Sequence, residues 1–312
     1  MKSSMHFVLL SLLLFCLACD KENTAPTSDA QLKFQFQFDS TQVRLNNIGQ
    51  AATMPAGHAA QNPQFRGMSA HFIELVEDQW TPYKSGQTIY QGAETSANNP
   101  NPFNFTTAIN FDQAIVAGEG EPFLSIPIKD LQPGTYRHVR VSVSYQSYDV
   151  RFNLVDIPSL PDLKSQSGTV ASFLGYNTQI NELSVRDLSM DVNDTKLQGF
   201  WAFESNLTAP YNSFNNILSG QAPANATTVV NPLNSPVPPG SCVVSGTLDQ
   251  PLVITGEETE DQIIDLSFSI NQSFEWEDRN GNGEWDISVA QSTQSEPVVD
   301  MGLRGLIGKL RQ

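Results

Sequence analysis

The sequence predicts an all-β protein, an antiparallel β-sandwich with long irregular loops, and three observations predict it. Short runs in which apolar and polar residues strictly alternate recur along the chain, and a period of two marks a strand with one buried face. The chain carries 20 Gly and 19 Pro, which suits strands joined by turns better than a helical bundle. A length of 312 residues can bury a large core in one such domain.

Met1-Lys2 is followed by an apolar run from Phe7 to Leu17 that ends at Ala18-Cys19. One positive charge, a short hydrophobic stretch and a small residue before a Cys read as a secretory signal over residues 1–18, too short to span a bilayer comfortably. Residues 19–30 form a polar tether containing Pro26. The body, residues 31–312, reads as one large domain, with 157–168 as the place where it would divide.

The first strand is set by Leu32, Phe34, Phe36 and Phe38 alternating with Lys33, Gln35, Gln37 and Asp39. Residues 46–66 are loop-like, 69–76 form a second strand, 88–90 a short one, and 94–104 a polar loop. Residues 105–117 fit no single pattern. A strand at 123–128 leads to Gln132-Pro133-Gly134-Thr135, a turn with Pro and Gly at its centre. The next strand puts Val139, Val141, Val143 and Tyr145 on one face, then Tyr148, Val150, Phe152 and Leu154 on the other; a change of parity inside one strand predicts a bulge or bend. Further strands fall at 169–176, 180–190, 199–204, 242–248 and 252–255. Residues 205–241 read as a long loop, with a helical turn or two at 211–218. The glycines at 302, 305 and 308 make residues 298–310 a short strand or an irregular cap rather than a helix.

One segment has spacing that argues for specific chemistry. Ile264, Leu266, Phe268, Ile270, Phe274 and Trp276 define one strand, Trp285, Ile287 and Val289 another, and Asn-Gly occurs twice between them, as in a hairpin. At its tip, Asp278, Asn280, Asn282, Gly283, the Glu284 carbonyl and Asp286 follow the order of the first nine positions of an EF-hand-type calcium loop. Position 12, normally a bidentate Glu, is Val289. Two readings stay open: a structural Ca2+ site that staples a hairpin, completed by Glu275, Glu277 or a distant carboxylate, and a polar turn with no ion.

The remaining candidates are sparse. Lys and Arg number 17 against 33 Asp and Glu, a balance that argues against nucleic acid as a partner. Cys242 is the one Cys of the body, flanked by Val243 and Val244, and reads as a small buried apolar residue. His71 faces inward by parity, His138 outward, and His58 lies in a loop; copper or zinc at His71, with His138, His58 or Met68 nearby, is the alternative metal reading. Gly-x-Ser-x-Gly, His-Glu-x-x-His and phosphate-loop signatures are absent, so the reading is non-catalytic. A carbohydrate-active or glycan-binding alternative needs two facing carboxylates or exposed aromatics, for which Trp80, Tyr83, Tyr90 and Tyr211 are the candidates.

Cys16-Leu17-Ala18-Cys19 resembles a bacterial lipobox, which implies cleavage before Cys19, its lipidation and anchoring in a membrane; the following Asp20-Lys21-Glu22 resembles the export signal of Bacteroidetes surface lipoproteins. The runs Phe36-Gln37-Phe38-Asp39, Arg44-Leu45-Asn46-Asn47, Met68-Ser69-Ala70-His71, Leu131-Gln132-Pro133-Gly134-Thr135-Tyr136 and Ser269-Ile270-Asn271-Gln272-Ser273-Phe274-Glu275-Trp276 look like those of such lipoproteins. The first half is similar, more distantly, to the MbnP-like family of secreted β proteins, some linked to copper, with His71 the one transferable ligand candidate. The resemblance implies a cell-envelope, outer-membrane lipoprotein, surface-exposed or periplasmic; the reading is a binding or structural module whose ligand the sequence leaves unspecified.

Overall fold

The computed structural model describes residues 29–45, 50–98, 106–209, 212–222 and 242–311. The signal segment, Cys19, most of the tether and Tyr211 lie outside the described residues. The fold is all-β and sandwich-like, built from strands numbered here in chain order.

The organising element is β8 (Gly134–Val155), 22 residues long. Its first half joins a large mixed sheet with β3 (Gln64–Val76), β14 (Cys242–Ile254), β19 (Leu306–Arg311), β15 (Gln262–Ser269), β1 (Gln31–Asp39) and β7 (Pro122–Pro127). β4 (Gln87–Gln91) lies outside β3. The sheet curls until its two sides nearly meet: residues 117–120 exchange backbone hydrogen bonds with Met68 of β3 at 3.0 Å and reach Phe36 of β1 through Gly120 N–H at 2.8 Å. Inside the curl lie Leu32, Phe34, Phe36, Ile73, Leu75, Val139, Val141, Val143, Ile264, Leu266, Phe268 and Leu306, all essentially without solvent contact. Each strand supplies alternate residues, as the period of two requires.

The second half of β8 leaves the curl and forms a wing with β9 (Leu163–Phe173), β12 (Phe200–Ala209) and β13 (Asn212–Gln221). Both faces of the wing are covered. On one, Tyr145, Ala171, Phe173, Phe200 and Ala202 pack under a small sheet of β5 (Glu94–Ser96), β6 (Thr107–Asn110), β10 (Thr178–Ser184) and β11 (Ser189–Lys196). On the other, Tyr148, Val150, Phe152, Val170 and Phe203 pack against Phe274, Trp276 and Trp285, beneath a sheet of β2 (His58–Gln61), β16 (Phe274–Glu277) and β18 (Val298–Met301).

This layout accounts for the parity change in β8. Val143 pairs with Ala70 and Tyr145 with Ser69, so Ser144 is an extra residue where the strand passes from β14 to β9 as its neighbour. Beyond that bulge the even positions face the Trp285 side.

Several expectations are corrected. Strand pairing is mostly antiparallel, as expected, but β1–β15, β14–β19, β10–β6 and β17 (Asp286–Ser288) with β8 are parallel. The strand read at 199–204 continues to Ala209 as β12, and 212–221 form β13 paired with it, rather than loop and helical turns; Trp201 lies over Gly220 and Phe203 over Gly168. Residues 180–190 split into two strands, and β14 runs through the gap read at 249–251, with a register shift there. The carboxy-terminal β19 is no cap; it lies inside the large sheet between β14 and β15, and Gly308 gives room for Leu248. The connection at 157–162 is the hairpin loop between β8 and β9 within one sheet.

Both faces of β8 are buried from Val139 to Tyr148, so its polar residues need internal partners. Arg140 Nη1 meets Glu74 Oε1 at 3.2 Å, with both side chains almost fully buried, and Arg140 Nη2 donates to the Gln79 carbonyl at 2.9 Å. Removing one partner strands a buried charge. Arg140→Met is expected to cost about 3–5 kcal/mol in denaturant unfolding, and adding Glu74→Leu is expected to recover much of that loss. Additive losses in the double variant would show that the pair is not coupled.

Candidate functional site

The loop from Asp278 to Asp286 joins β16 to β17, and here the hairpin expectation fails. β16 pairs with β2 and β18, while β17 runs parallel to β8, with Asp286 opposite Asn153. The loop therefore bridges two sheets. The physical reason is Trp285, which packs against Phe274, Phe152 and Phe203 with ring centroids at 4.9, 5.9 and 5.8 Å and carries the chain across the wing.

Within the loop, the Asp278 carboxylate accepts backbone N–H bonds from Gly281 at 2.8 Å, Asn282 at 3.2 Å and Gly283 at 3.0 Å. Asn280 Oδ1 accepts from Asn282 N–H, and Asn282 Oδ1 from Glu284 N–H, at 2.9 and 2.7 Å. Gly281 and Gly283 have φ of 72° and 74°, with open space where a Cβ would stand; the backbone conformation, not crowding, asks for glycine. The side-chain amides of Asn280 and Asn282 both point at one oxygen, Asp286 Oδ2, at 2.7 and 2.8 Å.

Two residues outside the loop hold it, and neither stands out in the sequence. Asn153 donates to Asp286 Oδ1 at 2.7 Å and to Glu284 Oε2 at 2.8 Å, while its backbone N–H bonds the Trp285 carbonyl at 2.8 Å. Glu296 accepts from Arg279 N–H at 3.0 Å and Asp286 N–H at 2.9 Å, and its carbonyl accepts from Trp285 Nε1 at 3.0 Å. Glu296 is thus a distant carboxylate beside the loop, whereas Glu275 is engaged elsewhere, Glu277 pairs with Arg279 of the loop at 3.7 Å and Val289 is exposed.

The electrostatics differ between the two buried acids. Burial pushes the Asp286 carboxyl up, yet hydrogen bonds from Asn153, Asn280 and Asn282 outweigh it and hold it below the ordinary Asp value. Burial pushes Glu296 up; backbone hydrogen bonds oppose this, and the Asp286 and Asp278 charges add to the rise, leaving it above the ordinary Glu value. A cation beside Asp286 and Asp278 would relieve that repulsion. The donor set is hard oxygen without sulfur or imidazole, which fits Ca2+ or Mg2+ rather than copper or zinc. A half-turn of either Asn amide presents its carbonyl oxygen toward Asp286, at the cost of one backbone hydrogen bond each. Among the described residues, no group of three or more His, Cys, Asp or Glu is gathered as a metal-holding cluster, so an ion here would depend on the Asn and backbone oxygens.

The other candidates disperse. His71 is buried, stacked on Tyr176 at 5.6 Å, with Nε2 2.9 Å from Glu94 Oε1 and 2.9 Å from Gln91 Nε2. His138 lies opposite Val76, five residues along β3 from His71, roughly 17 Å away at strand rise, and its Nδ1 is 3.4 Å from Thr247 Oγ1. Met68 is inside the core. His58 is not in a loop; it opens β2 and bonds Glu275 at 2.6 Å. Glu275 also pairs with Arg44 and, at 3.0 Å, with Arg304, a structural hub. Cys242 is buried and its thiol is pushed up to about 12 by burial. Of the aromatic candidates, Tyr83 is buried and Tyr90 packs on Phe123, while Trp80 is 72% exposed.

His71 sets a pH dependence. Burial lowers its pKa from 6.5, partly offset by Glu94. Between the folded value and 6.5 the unfolded chain binds more protons, so stability falls as pH drops through that window. His71→Gln is expected to flatten the stability–pH slope just below 6.5 in urea titrations; an unchanged slope would assign it to other groups.

No protein-family model, no curated protein and no solved structure matches this chain, so the site is read from its own residues.

Proposed function

We propose that this protein is a lipid-anchored, non-catalytic binding or structural module of the cell envelope, and that its 278–286 loop takes up one calcium ion as a structural staple. The anchor rests on the lipobox-like Cys16-Leu17-Ala18-Cys19. The observation that carries the calcium reading is the meeting of the Asn280 and Asn282 amides on Asp286, in a loop tied to β8 by Asn153 and braced by Glu296. An ion there would draw on the side-chain oxygens of Asp278, Asn280, Asn282 and Asp286 and on the Glu284 carbonyl. It would join the sheet of β16 to the end of β8, so its role is cohesion between layers rather than catalysis.

The test is thermal unfolding in EDTA and then in calcium. The midpoint is expected to rise with ion concentration, with about 2.7 kcal/mol of added stability at a hundred times Kd. Asp286→Asn and Asp278→Ala are expected to abolish the rise, and low pH to weaken it as the carboxylates protonate. An unshifted midpoint, with metal-free protein by elemental analysis, would reduce the loop to a polar turn.

A further inference from the structure

We propose that Asn280 and Asn282 are a self-deamidation site: each side-chain amide leaves as ammonia through a ring closed by the next glycine's nitrogen, and the acid left behind releases the loop from Asp286. This inference is independent of the calcium reading.

The covalent chain sets the reaction up. Asn is followed by Gly at two places in the 312 residues, and both lie in this loop. The nucleophile is the backbone nitrogen of the following residue. Gly has no Cβ to shield that nitrogen or to restrict the rotation that brings it onto the Asn Cγ. Asn280, Gly281, Asn282 and Gly283 are all exposed, and nothing stands within 4 Å of the place a Cβ would take on either glycine. Water therefore reaches the ring that must be opened.

The fold adds the handling of protons and charge. Gly281 N–H and Gly283 N–H, the two attacking nitrogens, both donate to the Asp278 carboxylate, at 2.8 and 3.0 Å, through different oxygens. The two leaving nitrogens, Asn280 Nδ2 and Asn282 Nδ2, both donate to Asp286 Oδ2, at 2.7 and 2.8 Å. Each reaction centre thus lies between two carboxylates. One draws the proton off the attacking nitrogen, and the other favours positive charge on the departing one. Burial pushes the Asp286 carboxyl up, but the bond from Asn153 to its other oxygen, at 2.7 Å, and those from the two loop amides hold it below the ordinary Asp value, so it carries its charge at neutral pH.

The step balances within the loop and water. The Gly nitrogen forms a bond to the Asn Cγ and gives its proton to Asp278. The Cγ–Nδ2 bond breaks, and the amide nitrogen departs as ammonia, taking up one proton for the one surrendered. Water then opens the succinimide at Cγ, which gives Asp, or at the backbone carbonyl, which gives isoaspartate. Either product replaces a hydrogen-bond donor to Asp286 with a second negative charge, so attraction becomes repulsion.

The test holds the folded full chain at mildly alkaline pH in EDTA, beside the same chain unfolded in urea, and follows residues 280–283 by peptide mapping. The mass gain of an amide turned into an acid is expected at both Asn residues about tenfold sooner in the folded chain, with isoaspartate among the products. Asp278→Ala is expected to remove that advantage. The variant carrying Asn280→Asp and Asn282→Asp is expected to melt at a lower temperature than the parent in EDTA. A folded chain that loses the amides no faster than the unfolded one overturns the proposal, because the hydrogen bonds would then protect the amides or leave them unaffected. Undiminished loss in Asp278→Ala also overturns it, as does a parent-like melting midpoint in the double Asp variant.

Discussion

The structure depends on one constraint: β8 must bury both faces over its middle ten residues, Val139 to Tyr148. An ordinary sandwich strand buries one face and shows the other to water. Here the first half of the strand lines the curled sheet with valines and turns Arg140, Ser142 and Ser144 to the opposite face. That face is covered in turn, and Glu74 and the Gln79 carbonyl satisfy Arg140. The bulge at Ser144 lets the same strand change neighbours, so one continuous backbone serves both the curl and the wing.

The wing brings a second requirement, because a single layer with two apolar faces needs two covers. The small sheet of β5, β6, β10 and β11 provides one, and the sheet of β2, β16 and β18 with Trp285 provides the other. These covers are short-stranded and gain cohesion from buried acids. Glu275 gathers Arg44, Arg304 and His58; burial pushes its carboxyl up, but those partners hold it below the ordinary Glu value. Glu204 closes the turn at 186–188. Glu296 and Asn153 fasten the 278–286 loop. A chain with few charges, 16% Asp, Glu, Lys and Arg, uses several of them inside, where each must be matched to avoid a large desolvation cost.

How much of this was legible in the sequence follows from what alternation can encode. Strands such as Leu32–Phe38 and the faces of β8 were readable because side-chain period reports burial directly. Alternation is silent about pairing, so the separation of β16 from β17 and the parallel pairs could not be read; Asn-Gly repeats suggested a hairpin that Trp285 overrides. The β12–β13 hairpin was hidden because its outer strand is an edge, exposed on most positions, and exposure erases the pattern. The loop's own oxygens were legible from spacing within nine residues. Asn153 and Glu296 were not, being 125 residues before the loop's first Asp and 10 after its last in chain position, and joined to it only through space. Glu296 carries no local sign at all; Asn153 in the apolar β8 was the one weak signal, a polar residue between Phe152 and Leu154.

The 278–286 loop follows the same economy as the buried acids. Asp278, Asn280, Asn282 and Asp286 already satisfy one another and the backbone, so an ion bound there would add strength to a loop that is folded without it rather than create it. This differs from small metal domains in which binding and folding are one event, because Trp285 is seated in the aromatic cluster whether or not the loop holds a cation.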